Sequence, residues 1–207
     1  MLATKIDITL LSDEALMLQY AQGDFAAFEQ LYLRHKGGLY RYFLRQLADK
    51  SLAEDLFQDI WSKVITSAGQ YQASAKFTTW FYTLARHKLV DQVRHLKVVA
   101  KVIEDKADDG VEAEFVVSEH NTQSNPAYIL ESDKAKAALK DCIAFLPLVQ
   151  RECFLLKEEA GLSVDAIAHI VDANFEACKS RLRKAYDSLR QCITRKVGAA
   201  VIGGKVL

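Results

Sequence analysis

"SVDAIAHIVDANFEACKSRLRKAYDSL", residues 163–189, is the stretch from which the rest of the chain is read. Ser163 is placed to cap a short helix, VDAIAHIV, because a serine oxygen there can accept an otherwise unpaired backbone N–H. The segment DAN makes a tight turn, and Asn174 caps a longer helix. Phe175, Cys178, Leu182, Ala185 or Tyr186, Leu189 and Ile193 recur along that helix at its period and predict its buried stripe. Two helices joined by a three-residue turn, the second strongly basic, have the form of a helix-turn-helix.

A recognition helix enters the major groove by its N-terminal end. The candidates for DNA contact are therefore Glu176, Ala177, Lys179, Ser180, Arg181, Arg183 and Lys184. Residues 176–205 hold 8 basic and 2 acidic side chains. A solvated charged face is the plainer reading, and the shape of the neighbouring helix pair favours DNA.

Working back from this pair, LVQRECFLLKEEAGL (residues 148–162) predicts a helix closed by Gly161. A helix over about 128–145 stops near Pro147, which suits the opening of a helix and not its interior. Residues 127–196 are thus expected to form one helical domain, followed by a tail, 197–207. Before them, residues 100–126 are acidic, lack helical period and end in Asn-Pro, so they are expected to be a linker. Alternation at Val111, Ala113, Phe115 and Val117 would suit a strand, yet no partner strand is visible.

Residues 1–99 predict a second helical domain. Ser12 or Asp13 caps a helix ending at Gly23, and Asp24 caps the next, with Phe25, Phe28, Leu31 and Tyr32 at helical spacing. Gly37-Gly38 is expected to break or bend the path before LYRYFLRQL. In SLAEDLFQDIWSKVI, Ser51 and Glu54 predict a capping box, and Ala53, Leu56, Phe57, Ile60, Trp61 and Val64 form an apolar stripe. The outer face of this helix is Glu54, Asp55, Gln58, Asp59 and Ser62.

The loop SAGQYQASAK then leads into KFTTWFYTLARHKLVDQVRH, residues 76–95. Phe77, Trp80, Phe81, Leu84, Ala85 and Leu89 project to one side, with Trp80 at the edge of the stripe. Lys76, Thr79, Thr83, Arg86, His87, Val90, Arg94 and Lys97 project to the other. Phosphates demand cations, and unpaired bases stack on exposed aromatic rings, so this side is the second candidate for nucleic acid.

Net charge is zero but unevenly spread: residues 31–100 carry 11 basic and 5 acidic side chains, and residues 101–135 carry 3 and 9. Binding of a polyanion follows local charge, so the neutral total does not exclude it. No run of about 18 apolar residues exists, and the first residues lack the pattern of a signal peptide, so a cytoplasmic protein is expected. The four cysteines, Cys142, Cys153, Cys178 and Cys192, lack CxxC spacing, so buried free thiols are expected and a metal site is not. No phosphate-cradling glycine loop and no nucleophile–base pair is evident, so neither an enzyme nor a cofactor is expected.

GDFAAFEQLYLRHKGGLYRYFLRQL, AEDLFQDIWSKVI and FTTWFYTLARHKLVDQVR resemble, in order and spacing, domain two of the extracytoplasmic-function sigma factors of bacterial RNA polymerase. LPLVQRECFLLKEEAGLSVDAIAHIVDANFEACKSRLRKAYDSL resembles their domain four. The resemblance implies an all-α chain of two helical domains that binds core RNA polymerase and promoter DNA and is held by an anti-sigma factor. It implies that the Asp55, Gln58 and Asp59 face docks on the polymerase, and that Lys76, Thr79, Trp80, Thr83, Arg86, His87 and Arg94 serve the minus-ten element. The recognition helix would read the minus-thirty-five element. The family often has Arg where Thr83 stands, Asn where His87 stands, and a turn glycine where Asp172 stands. The rival reading is a free-standing helix-turn-helix regulator whose N-terminal helical domain senses or dimerises.

Overall fold

The computed structural model describes residues 7–104 and 128–197. Among them every regular element is helical: α1 (Asp13–Ala21), α2 (Phe25–Leu47), α3 (Lys50–Ser67), α4 (Phe77–Glu104), α5 (Tyr128–Ala144), α6 (Leu148–Glu158), α7 (Val164–Ile170) and α8 (Phe175–Val197), with short 3-10 turns at Ile8–Leu10 and Ala68–Gln70. The all-α expectation holds. The possible strand at 111–117, most of the expected linker and the tail from residue 198 lie outside the described residues. The chain divides into two compact units, residues 1–43 with 50–115, and residues 44–49 with 116–207.

In the first unit, the Ser12 hydroxyl accepts the Ala15 N–H at 3.2 Å to open α1, and Gly23 ends that helix with φ +99°. The left-handed backbone at that turn is one glycine adopts without a steric cost. Asp24 then accepts the Ala26 N–H at 3.0 Å to open α2.

Contrary to expectation, α2 runs unbroken through Gly37-Gly38. Two helical glycines cost about 1 kcal/mol each. Leu31 on one side and Leu39, Tyr42 and Phe43 on the other are buried, and their packing outweighs that cost. Nor does Ser51 cap α3: the helix starts at Lys50, so Ser51 lies inside its first turn, and Glu54 pairs with Lys50 at 3.6 Å. Ala48, with φ +55°, turns the chain just before it, and the helix starts earlier than the Leu52 that a Ser51 cap implies. The helix α4 also continues past Ala100 to Glu104.

The core of this unit is aromatic. Trp61 of α3 meets Phe81 of α4 at 5.1 Å between ring centres and Tyr32 of α2 at 5.0 Å. Phe77 and Phe81 stack one turn apart at 5.4 Å. Such pairs add about 0.5–1.5 kcal/mol beyond the area they bury. Tyr82, unassigned by the helical projection, is buried and packs edge-on to Tyr42 at 5.8 Å.

The second unit packs α8 against α5, α6 and α7. Gly161, with φ +63°, follows α6, and the Ser163 hydroxyl accepts the Ala166 N–H at 3.2 Å to open α7. Asp172 takes the left-handed turn conformation with φ +51°, a backbone that aspartate tolerates better than most residues. Cys178, Leu182, Ala185 and Leu189 are buried as the period predicts, with Ala185 rather than Tyr186 in the stripe. Phe175 departs from that stripe: at the first position of α8 it is 41% exposed, with the Lys179 ammonium 6.0 Å from its ring centre.

The cysteines also depart from expectation. Cys142 of α5 and Cys192 of α8 form a disulfide across a separation of 50 residues, their Cα atoms 5.8 Å apart. Sequence spacing carries no sign of this pairing, because only the folded helices bring the two residues together. Cys153 and Cys178 are buried free thiols, as expected of all four.

Candidate nucleic-acid interface

Two surfaces, one in each unit, carry the candidate residues. In the first unit the burial of Phe77, Phe81, Ala85 and Leu89 turns the opposite side of α4 outward. Lys76, His87 and Arg94 are exposed there, while Thr79, Trp80, Thr83 and Arg86 are half-buried. The Thr83 hydroxyl donates to the Thr79 carbonyl at 2.7 Å, so it is bound back into its own helix. Arg94 pairs loosely with Asp91 at 3.7 Å, an exposed contact that a phosphate can displace at little cost.

Trp80 stands at the margin, its ring centre 5.2 Å from that of Tyr71 in the preceding loop. Tyr71 is absent from the sequence-based candidates, although an aromatic residue just ahead of the TTW stretch is a usable signal. Its hydroxyl is buried without a hydrogen-bond partner. Burial first, and then the nearby Glu14 and Asp13 carboxylates, push it up to about 12, so it stays a neutral donor.

The start of α4 is held from α1. A Glu14 carboxylate oxygen accepts the Phe77 N–H at 2.8 Å, capping the helix through a contact 63 residues away in sequence. Next to it, Asp13 pairs with Arg34 at 2.7 Å and with the His35 ring at 2.7 Å. Burial pushes Asp13 and Glu14 up; bonds from His35 and Arg34 to the first, and from the Phe77 N–H to the second, outweigh it and hold both below the usual carboxylate range.

The acidic face lies alongside on α3, with Asp55, Gln58 and Asp59 all exposed. Asp59 meets Lys88 of α4 at 3.0 Å, both side chains about half exposed. The acidic stripe and the basic side of α4 therefore adjoin, and the Asp59–Lys88 ion pair joins them. Lys88, one of the basic residues of the 76–95 stretch, is not among the candidate contact residues drawn from the sequence.

In the second unit, Asn174 accepts the Ala177 N–H through its side-chain oxygen at 2.7 Å and so fixes where α8 begins. Glu176, Lys179, Ser180, Arg183 and Lys184 are exposed along the first turns, and Ala177 and Arg181 are half-buried. Arg181 differs in kind from Arg183: its guanidinium faces the Cys153 and Cys178 sulfurs, where its charge favours their thiolate forms. On the other side, the Tyr186 hydroxyl donates to the Glu158 carboxylate and ties α8 to α6.

Residues 31–98 match the family model of Sigma-70 region 2, which spans most of α2, all of α3 and most of α4. The chain is 28% identical over 193 residues to the ECF RNA polymerase sigma factor SigK of Mycolicibacterium vanbaalenii, covering 92% of this chain and 94% of that protein. It is 29% identical over 181 residues to the SigK of Mycobacterium sp. strain JLS, covering 87% and 90% of the two chains. Among solved structures, CnrH in complex with the cytosolic domain of CnrY matches with a TM-score of 0.61 at 20% identity, over 88% of this chain and 97% of that one. The sigma factor RpoE of Bartonella quintana, solved with the anti-sigma factor NepR, matches with a TM-score of 0.61 at 23% identity, over 81% and 96%.

The region-two match and the helix pair that follows it in sequence are the features the chain shares with proteins of the sigma-factor class. Within that class, the relatives that match the chain over most of its length are extracytoplasmic-function sigma factors.

Proposed function

We propose that the chain binds core RNA polymerase, directs it to particular promoters and helps to melt the start region. The observation that carries this is the adjoining pair of faces in the region-two segment: acidic Asp55, Gln58 and Asp59 on α3 beside the basic side of α4. A DNA surface alone would not place carboxylates there, because phosphate repels them. A protein-docking stripe next to a strand-binding stripe accounts for both.

In this reading Asp55, Gln58 and Asp59 contact the polymerase. Lys76, Arg86, His87 and Arg94 meet phosphates near the minus-ten element, Thr79 and Thr83 pack against the strand, and Trp80 stacks with an unpaired base. From the second unit, Glu176, Ala177, Lys179, Ser180, Arg183 and Lys184, with Arg181 behind them, read the minus-thirty-five element. Residues 1–99 and 127–196 act as the two working domains, and 100–126 join them.

The protein works in the cytoplasm without catalysing a reaction of its own or inserting into a membrane. No described helix is long and apolar enough to cross one. An anti-sigma factor is a further partner, as it is for the Bartonella quintana protein.

Size-exclusion chromatography with core polymerase tests the reading. Co-elution at equal stoichiometry supports it. A chain that binds duplex DNA but never core polymerase would be the free-standing regulator instead.

A further inference from the structure

Cys153 of α6 and Cys178 of α8 point at one another inside the second unit, their sulfurs 4.0 Å apart and both residues fully buried. They are not bonded to each other, although a disulfide stands elsewhere in the same unit. We propose that this pair is a binding site for a monovalent thiophilic cation, copper(I) or silver(I), held between the two sulfurs.

Distance, ligand number and charge all bear on the choice of ion. Sulfurs 4.0 Å apart are close to the span that one atom bridges when its bonds to thiolate are about as long as the roughly 2.3 Å of zinc–thiolate bonds, and a small opening would make the bridge linear. Zinc asks for four ligands, and among the described residues no group of three or more His, Cys, Asp or Glu stands ready to hold a metal. Soft thiolate pairs select copper(I). Two thiolates and one monovalent cation leave a single negative charge, which the adjacent Arg181 guanidinium neutralises. A divalent ion would leave a buried surplus of positive charge, which an apolar site opposes.

Burial pushes the Cys153 thiol up to about 12 and raises Cys178 as well, so the empty pair holds its protons. Peroxide needs a thiolate to attack, and this pair offers little of one. A soft cation, by contrast, displaces the protons itself. Two protons leave as one cation enters, and no electron moves. Entry requires a local opening of α6 from α8.

Anaerobic titration of the full chain with copper(I), against a chromophoric copper(I) chelator, tests the site. One equivalent per chain should be retained, and affinity should rise about 100-fold per pH unit near neutrality because two protons are released. Cys153→Ser and Cys178→Ser should each weaken retention at least 100-fold, and a Cys142→Ser/Cys192→Ser chain should keep its equivalent. X-ray absorption at the copper edge of the wild-type chain, which needs no variant to fold, should show two sulfur neighbours. No retained copper, retention unchanged in both single variants, or a copper centre with three or more ligands would overturn the proposal.

Discussion

Breaking the Cys142–Cys192 bond should destabilise the second unit by an amount that its position sets. The bond joins residues separated by 50 positions and ties α5 to the helix that carries the DNA candidates. Closing a loop of that length removes enough unfolded-state entropy to stabilise the fold by about 4 kcal/mol. For a domain of this size each kcal/mol moves the melting temperature by about 4–8 °C, so reduction should lower it by roughly 15–30 °C. Ala138, Ile143 and Leu146 remain buried around α5, so the unit should still fold when reduced at low temperature. Circular dichroism melts of the full chain, with and without reductant and alongside Cys142→Ser/Cys192→Ser, measure this. Thiol counting on the unfolded, unreduced chain should find two free thiols, those of Cys153 and Cys178. Four free thiols, or two with a melting temperature that reduction shifts by less than about 3 °C, would rule out a stabilising Cys142–Cys192 bond.

Other perturbations separate docking, readout and folding. Asp55→Lys/Asp59→Lys should leave the melting temperature nearly unchanged, since the exposed Asp59–Lys88 pair contributes under about 1 kcal/mol, while core-polymerase affinity falls at least tenfold; wild-type affinity would remove the docking role. Arg183→Ala should weaken duplex binding by the second unit and reduce the log–log salt slope by about 0.9 if the contact is phosphate; if the contact is a base edge, the slope stays and about 1–3 kcal/mol of discrimination disappears at one position. Glu14→Gln should destabilise the first unit by about 1 kcal/mol by weakening the cap on Phe77, as read in a urea melt. Asp13 and Glu14 both titrate below their usual values when folded, so the stability they add is present at neutral pH and lost as pH falls through their lowered values. An acid melt of Asp13→Asn/Glu14→Gln should therefore show a flatter loss than wild type.

Much of the fold was legible because its signals are local. Ser12, Asp24, Ser163 and Asn174 all cap the helices their positions predict, since a cap is made within three residues. Ser51 misled because the turn at Ala48 fixed the start of α3 earlier than its own side chain would. Gly37-Gly38 misled because packing on both flanks is tertiary and overrides local propensity. Helical period placed Phe77 and Phe81 in the core but left out Tyr82, which faces Tyr42 across a different seam. The candidate faces on α3, α4 and α8 followed from the same period. Their connections did not: Asp59 to Lys88, Glu14 to Phe77 and Cys142 to Cys192 span 29, 63 and 50 residues, and no spacing rule reaches that far.

Run-off transcription is the most direct test of the central claim that this chain gives core polymerase its promoter specificity. Purified core enzyme, with and without the full-length chain, would be supplied with fragments of the source genome. The account predicts discrete transcripts that appear only with the chain present, share a minus-thirty-five and minus-ten arrangement upstream, and vanish with Asp55→Lys/Asp59→Lys. Transcripts identical to those of core enzyme alone, under conditions where the chain is shown to be bound to it, would contradict the account.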